Sequence, residues 1–176
     1  LRVALRRADL NADLDSGLGE GADLVTASAF FDLCSAAFIE RFAAAVAQRG
    51  AVFFTGLTYN GVQTWTPPHP ADAAMLAAFC AHQAGDKGFG PAAGAGAPPA
   101  LRAAFTKAGY QVREGDSPWM LGEADQALVN DLARGFAGAV AETGRLDAAT
   151  VTSWAAAART QAIVGHTDTL ALPARV

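Results

Sequence analysis

Positive charge is scarce and scattered in this sequence: 13 Lys and Arg stand against 17 Asp and Glu, for a formal net charge of −4. A nucleic-acid surface needs a concentrated basic footprint, so no nucleic-acid partner is expected. Cysteine is nearly lacking. Cys34 and Cys80 make neither a disulfide framework nor a zinc site. Both sit in apolar helical contexts, where a free thiol behaves as a small core residue, and a reducing cytoplasm is the expected compartment. No uninterrupted apolar run reaches the roughly 18–20 residues of a membrane span, so no membrane partner is expected. The start, Leu1-Arg2-Val3, has neither the apolar stretch nor the cleavage site of a signal peptide. An initiator Met is also lacking, and the chain is expected to be a piece whose upstream part lies elsewhere.

What the sequence does hold is apolar. Hydrophobic residues make up 52% of the 176, against 17% charged. That balance excludes a disordered chain, and the length suits one domain with a sizeable core. Ala supplies about a quarter of the residues. It favours helix but buries little area, so the core has to rest on Phe, Leu, Val and Trp.

The patterning predicts alternating strands and helices. Leu1 to Leu5 reads as a short strand and Asn11 to Gly21 as a loop or one frayed helical turn. Ala22 to Ala27 is a compact apolar run of the kind a buried parallel strand shows. Phe38, Phe42 and Val46 recur every four residues, which predicts an amphipathic helix ended by Gly50. Ala51 to Leu57 predicts a second strand. Asn60-Gly61 predicts a tight turn and a small hairpin reaching Trp65, ended by Pro67, Pro68 and Pro70. Helices are predicted from about Ala71 through Gln83, from Pro98-Pro99 to Gly109, over Glu123–Glu142 and over Asp147–Gln161; Tyr110–Glu114 and Ile163–Leu172 read as strands. Such an order implies an α/β fold, an open, mostly parallel sheet with helices on both faces.

Motifs with chemistry are few. Gly17-Leu18-Gly19-Glu20-Gly21 has dinucleotide-fingerprint glycines, but they precede a strand instead of following one, so the segment reads as loop. The glycines of Gly88 to Gly96 lack the Lys-Ser/Thr of a phosphate loop. No metal set is expected, because Cys80 and His82 point to opposite helix faces and His69 and His166 lack spaced companions. No serine-hydrolase elbow is present, and for His166 and Asp168 on the last strand a structural hydrogen bond is the expected role. Two readings stand for His82-Gln83-Ala84-Gly85-Asp86-Lys87-Gly88-Phe89-Gly90. It is a solvated helix end, or it is a lid whose His82, Asp86, Lys87 and Phe89 contact substrate. Tyr59, Trp65 and Trp119 are candidates to line the same mouth.

From Ala22 to Leu33 a strand ends in small residues and an aromatic, acidic turn follows, then the Phe38–Val46 helix and the strand after Gly50. This resembles the middle of a class I S-adenosylmethionine-dependent methyltransferase. The resemblance makes Asp23-Leu24-Val25 the start of that family's fourth strand and Arg7-Ala8-Asp9-Leu10 the end of its third. It implies a Rossmann-like sheet whose antiparallel C-terminal strand pair is Tyr110–Glu114 with Ile163–Leu172. It implies S-adenosylmethionine as cofactor, held by Asp9, Leu10, Ala27, Ser28 and Phe30, with Asp9 and Leu10 against adenine. The family's glycine-rich turn and ribose-binding acidic residue have no counterpart in this chain, which the resemblance reads as the C-terminal part of the fold.

The implied activity is methyl transfer to a small-molecule acceptor touching Asp32, Tyr59, His82, Asp86, Lys87 and Phe89, with Asp32, His82 and Tyr59 as candidate bases by their chemistry. The alternative is a non-catalytic interaction module of the same sheet. Unpaired central strand edges would then favour a homodimer.

Overall fold

Strand β1 (Leu24–Ser28) lies parallel to β2 (Val52–Thr66), in register from Leu24 against Val52 to Ser28 against Gly56. This is the frame of the computed structural model, which describes residues 2–174. Strand β5 (Gln161–Pro173) runs antiparallel to β2 on its other side, and β3 (Tyr110–Asp116) and the short β4 (Trp119–Leu121) both pair antiparallel with the far edge of β5. The sheet order is therefore β1-β2-β5-β3, with β4 beside β3 along β5. Four strands point one way and β5 runs against them. The sheet is therefore open and mixed, not mostly parallel as expected: among the described residues one of its four ladders is parallel and three are antiparallel.

The helices are α1 (Leu14–Leu18), α2 (Ala36–Arg49), α3 (Asp72–Gln83), α4 (Ala97–Lys107), α5 (Gln126–Glu142) and α6 (Ala148–Ala156). Helix α2 starts where the Ser35 hydroxyl accepts the Phe38 N–H at 3.1 Å, and ends at Gly50, whose φ of 62° is the left-handed cap that glycine takes without strain. Pro98 and Pro99 sit in the first turn of α4, where no intrahelical N–H is lost.

Two cores result. Phe31, Phe38, Ile39, Phe42, Phe53, Leu101 and Phe105 pack α2 and α4 onto the sheet, with Phe53 stacked on Phe105 at 4.7 Å. Trp65, Met75, Val129, Phe136 and Trp154 pack α3, α5 and α6. Side chains alternate along β5, so Ala171 in the first core and Ala162 in the second lie on opposite faces. Helices thus cover both faces, each over a different half of the sheet. Where α2 and α4 cover one face, Phe54 on the other stays 40% exposed.

Four expectations are corrected. Residues 2–9 form no strand and are exposed; Leu1 lies outside the described residues. No ladder partner holds that segment among the described residues. The Asp147–Gln161 helix stops at Ala156, and β4 has no predicted counterpart. The Asn60-Gly61 pair makes no hairpin, because β2 is one continuous strand. Between Tyr59, opposite His166, and Gln63, opposite Val164, β2 spends four steps against two and so carries a two-residue bulge. The Asn60 side chain holds it, accepting the Val62 N–H at 3.1 Å and donating to Thr167 Oγ1 at 3.3 Å. A second bulge lies at Leu57, whose N–H donates to Asp168 Oδ1 at 3.0 Å.

Candidate functional site

β1 and β3 both end level with the Gly56–Thr58 stretch of β2, while β2 and β5 run on beyond them. The ground beyond the carboxyl ends of like-directed strands is where open α/β sheets bind ligands. A cavity of ≈ 440 Å³ opens there.

Register builds its floor. Tyr59 faces His166, and Gln63 faces Val164, which in turn faces Trp119 on β4. Cross-strand partners share a face, so these five side chains line the cavity together. Helix α3 adds Phe79 and Gln83, and α5 adds Leu128, Leu132 and Phe136. Asp32 enters from the one-turn 3-10 helix Phe31–Leu33 that follows β1.

The apolar walls are tightly fitted. Phe79 stacks on Phe136 at 4.2 Å, and Tyr59 meets Phe79 edge-on at 6.0 Å. The polar floor is less satisfied. Asp32 Oδ1, the Tyr59 hydroxyl, Gln63 Oε1, Gln83 Oε1 and His166 Nδ1 are buried and have no hydrogen-bond partner among the described residues. Natural interiors leave few such atoms, and five around one cavity mark a place for a ligand's polar groups.

Burial sets the electrostatics. It raises the Asp32 carboxyl above its ordinary 3.8, opposed by the backbone N–H of Asp32 and by His166. It lowers His166 below 6.5, opposed by Asp32 and Asp168. The Tyr59 phenol is held well above its ordinary range by burial and then by Cys80. Cys34, buried behind Asp32, is pushed up to about 12 by burial and by that carboxylate, which makes it an inert thiol. Groups of opposite ordinary charge drawn toward neutrality in one cavity are the mark of acid–base sites.

A second hollow, ≈ 510 Å³, runs along the outer edge of β1. Leu10, Ala27, Ser28 and Phe30 line it with Leu18, Val25 and Phe42. Asp9 does not; its carboxylate accepts the Asn11 N–H at 2.9 Å and the Ala12 N–H at 3.4 Å. Of the residues assigned to substrate from sequence, Asp32 and Tyr59 share the first cavity and the others lie outside it. His82 Nε2 is 3.0 Å from Glu142 Oε2 on the helix surface. Asp86 closes a turn by accepting the Gly88 and Gly90 N–H groups at 2.7 and 3.0 Å. Lys87 is exposed, and Phe89 packs on Phe38 and Phe30 at 4.7 and 5.3 Å. Trp119 lines the cavity, whereas Trp65 belongs to the second core.

Gln63 was not reached from sequence, His166 was expected only in a structural hydrogen bond, and Gln83 stood in the His82–Gly90 segment without a role of its own. Gln63 depended on reading β2 as unbroken, and Gln83 is the helical neighbour of the His82 that drew attention. Asp168 has the structural role expected of it, taking the Leu57 N–H and the Ser117 hydroxyl. His166 does not make the structural hydrogen bond expected of it: its ring Nδ1 has no partner among the described residues. No group of three or more metal-ligating side chains gathers among the described residues, and no helix there is long and apolar enough to cross a membrane. Set against known proteins, the chain matches no family model and no curated sequence.

Proposed function

We propose that the chain serves S-adenosylmethionine-dependent methyl transfer to a small-molecule acceptor on a Rossmann-like sheet. The observation that carries this reading is the turn after β1. Phe30 and Phe31 wall the hollow along β1, and Asp32, the next residue, walls the cavity at Tyr59 and His166. Two ligand spaces therefore meet across one turn of backbone. The insertion of antiparallel β5 between β2 and β3 adds support, since the resemblance implies such a strand pair.

The hollow along β1 suits the flat apolar part of the cofactor, with Leu10, Val25, Ala27 and Phe30 as walls and Ser28 as a hydroxyl. The bound cofactor supplies an electrophilic methyl. This chain's residues do the rest. Phe79, Phe136, Leu128 and Leu132 exclude water from the acceptor, and Tyr59 and the two glutamines orient it. Asp32 and His166 stand ready to take its proton.

Calorimetric titration of S-adenosylhomocysteine into this chain tests the reading. Binding, weakened by Phe30→Ala, is expected. Absence of binding overturns it. The interaction-module reading then leads, favoured by the outer edge of β1, which has no pairing strand among the described residues and leaves Leu24 55% exposed. A homodimer through that edge would be seen by sedimentation.

A further inference from the structure

We infer that the cavity at Tyr59 and His166 is built for an amine carried on an apolar body. The inference rests on the methyl-transfer reading only for what happens to that amine once bound. Charge comes first. Asp32 and Asp131 are the carboxylic acids lining the cavity, and no Lys or Arg among the described residues lines it. Asp131 is taken up by Arg134 on the exposed side of α5. Asp32 has no ion-pair partner among the described residues, and its Oδ1 is buried and unbonded. An anionic ligand would meet a carboxylate with no cation to receive it, whereas an ammonium supplies the missing counter-charge.

Donor and acceptor counts agree. The Asp32 carboxylate accepts, as do the amide oxygens of Gln63 and Gln83, and each awaits a donor. Tyr59, 6% exposed, and His166, 7% exposed, add an unpartnered hydroxyl and an unpartnered ring nitrogen. An ammonium brings three N–H donors to such a ring of acceptors; a hydroxyl brings one and a carboxylate none. The glutamine amides could turn over to present N–H instead, so the preference rests on Asp32. The aromatic faces of Tyr59, Phe79, Trp119 and Phe136 favour a cation for a second reason, their electron-rich rings. The same faces demand that the rest of the ligand be apolar.

Under the methyl-transfer reading the bound ammonium first gives one proton to His166 Nδ1 or to Asp32, and from there to solvent. Its freed lone pair forms the N–C bond as the methyl's C–S bond breaks, the bonding pair leaving with sulfur. Charge balances: the sulfonium's positive charge passes to the new, methylated ammonium.

The test is titration of the full chain with three matched probes, 2-phenylethylamine, 2-phenylethanol and 3-phenylpropionate. It is read by calorimetry and by the fluorescence of Trp119, which is 38% exposed in the cavity wall. The amine is expected to bind roughly tenfold or more tightly than the carboxylate, with the alcohol between. Asp32→Asn, checked as folded by its melting curve, is expected to lower only the amine's affinity, by about tenfold. Equal or tighter binding of the carboxylate overturns the inference, as does an amine affinity indifferent to Asp32→Asn or no amine binding at millimolar concentration. S-adenosylhomocysteine titrated in parallel separates the two claims. Amine preference without its binding sinks methyl transfer and leaves the amine site; its binding without amine preference does the reverse.

Discussion

Tyr59 and His166 face each other across the β2–β5 ladder, ring centroids 6.5 Å apart, each with a buried polar atom that nothing among the described residues satisfies. Bulges flank this pair on β2, so the floor is set by strand irregularities. Asp32 reaches the same space from the turn after β1, and its charge and that of His166 influence each other.

Asp32→Asn is expected to separate function from stability. Burial raises the Asp32 carboxyl in the folded state, so its stabilising window lies at low pH, where folded and unfolded chains are both protonated. As pH climbs from 3.8 through the raised folded value, the unfolded chain ionises first and stability falls. Asparagine removes that loss. The variant should melt higher than wild type near neutral pH and lose the advantage below about 3.8, while turnover of any accepted substrate falls by ~10²-fold or more. Thermal melts across pH, run beside an activity assay, check both arms.

His166 carries the opposite sign. Its folded value lies below 6.5 because burial disfavours the imidazolium. Above 6.5 both states are neutral and the stability is whole; as pH falls below it, only the unfolded chain takes the proton and stability drops until the folded value is passed. His166→Asn should flatten that acid-side slope. An NMR titration of the ring should give a midpoint below 6.5, and a lower one still in Asp32→Asn, since Asp32 is what pulls it up. A midpoint at or above 6.5 would contradict the burial seen here.

Gly165 is expected to tolerate no side chain. A Cβ there would lie 2.3 Å from Asn60 Oδ1 and 2.6 Å from Val62 Cβ, inside the bulge that aims Tyr59 and Gln63. Gly165→Ala should cost about 1–3 kcal/mol by overpacking. Ligand binding should fall by more than that loss of folded protein accounts for, because the floor moves. Urea unfolding and calorimetry on the same sample measure the two effects.

Much of the frame is legible in the sequence. Helix α2 came from a spacing of four ended by Gly50, β1 from a compact apolar run, and β5 from the strand reading of Ile163–Leu172. What was hidden had non-local causes. Asn60-Gly61 has the local signature of a hairpin, but the Thr167 hydroxyl and the close approach of Gly165 make it a bulge, and both lie about a hundred residues away in the chain. The same miss concealed Gln63. The Asp86–Phe89 segment looked functional because it is dense in polar types, yet Asp86 serves its own turn and Phe89 serves the Phe30–Phe38 cluster. Site residues are brought together by register, and register is what a single sequence states least directly.

Lys87 and Asp86 should therefore behave differently from one another. Lys87→Ala is expected to leave ligand affinity and melting temperature unchanged, since the side chain is exposed and has no ion-pair partner among the described residues. Asp86→Ala removes the acceptor for the Gly88 and Gly90 N–H groups. Faster hydrogen exchange at those two amides is expected, with stability lower by about 0.5–2 kcal/mol. A loss of affinity on Lys87→Ala would return this segment to the site.

The pair at the far end of the second core makes the firmest stability prediction. Arg159 is buried, with its guanidinium 4.8 Å from the Trp154 ring and its Nη1 donating to the Pro67 carbonyl at 3.1 Å and to Asp72 Oδ1 at 3.4 Å. Asp72 also accepts the Trp154 indole N–H at 2.7 Å, so one carboxylate serves a cation and a ring. Asp72→Ala strands the arginine's charge and unbonds the indole, at a cost of about 3–5 kcal/mol. Arg159→Met leaves Asp72 beside solvent with the indole still bonded, and should cost less because the methionine fills the slot between Trp65 and Trp154 without a charge. Chemical denaturation of the two variants decides it. If Arg159→Met proves the more damaging, the cation's contacts with the two indoles, and not its carboxylate partner, hold α6 against the sheet.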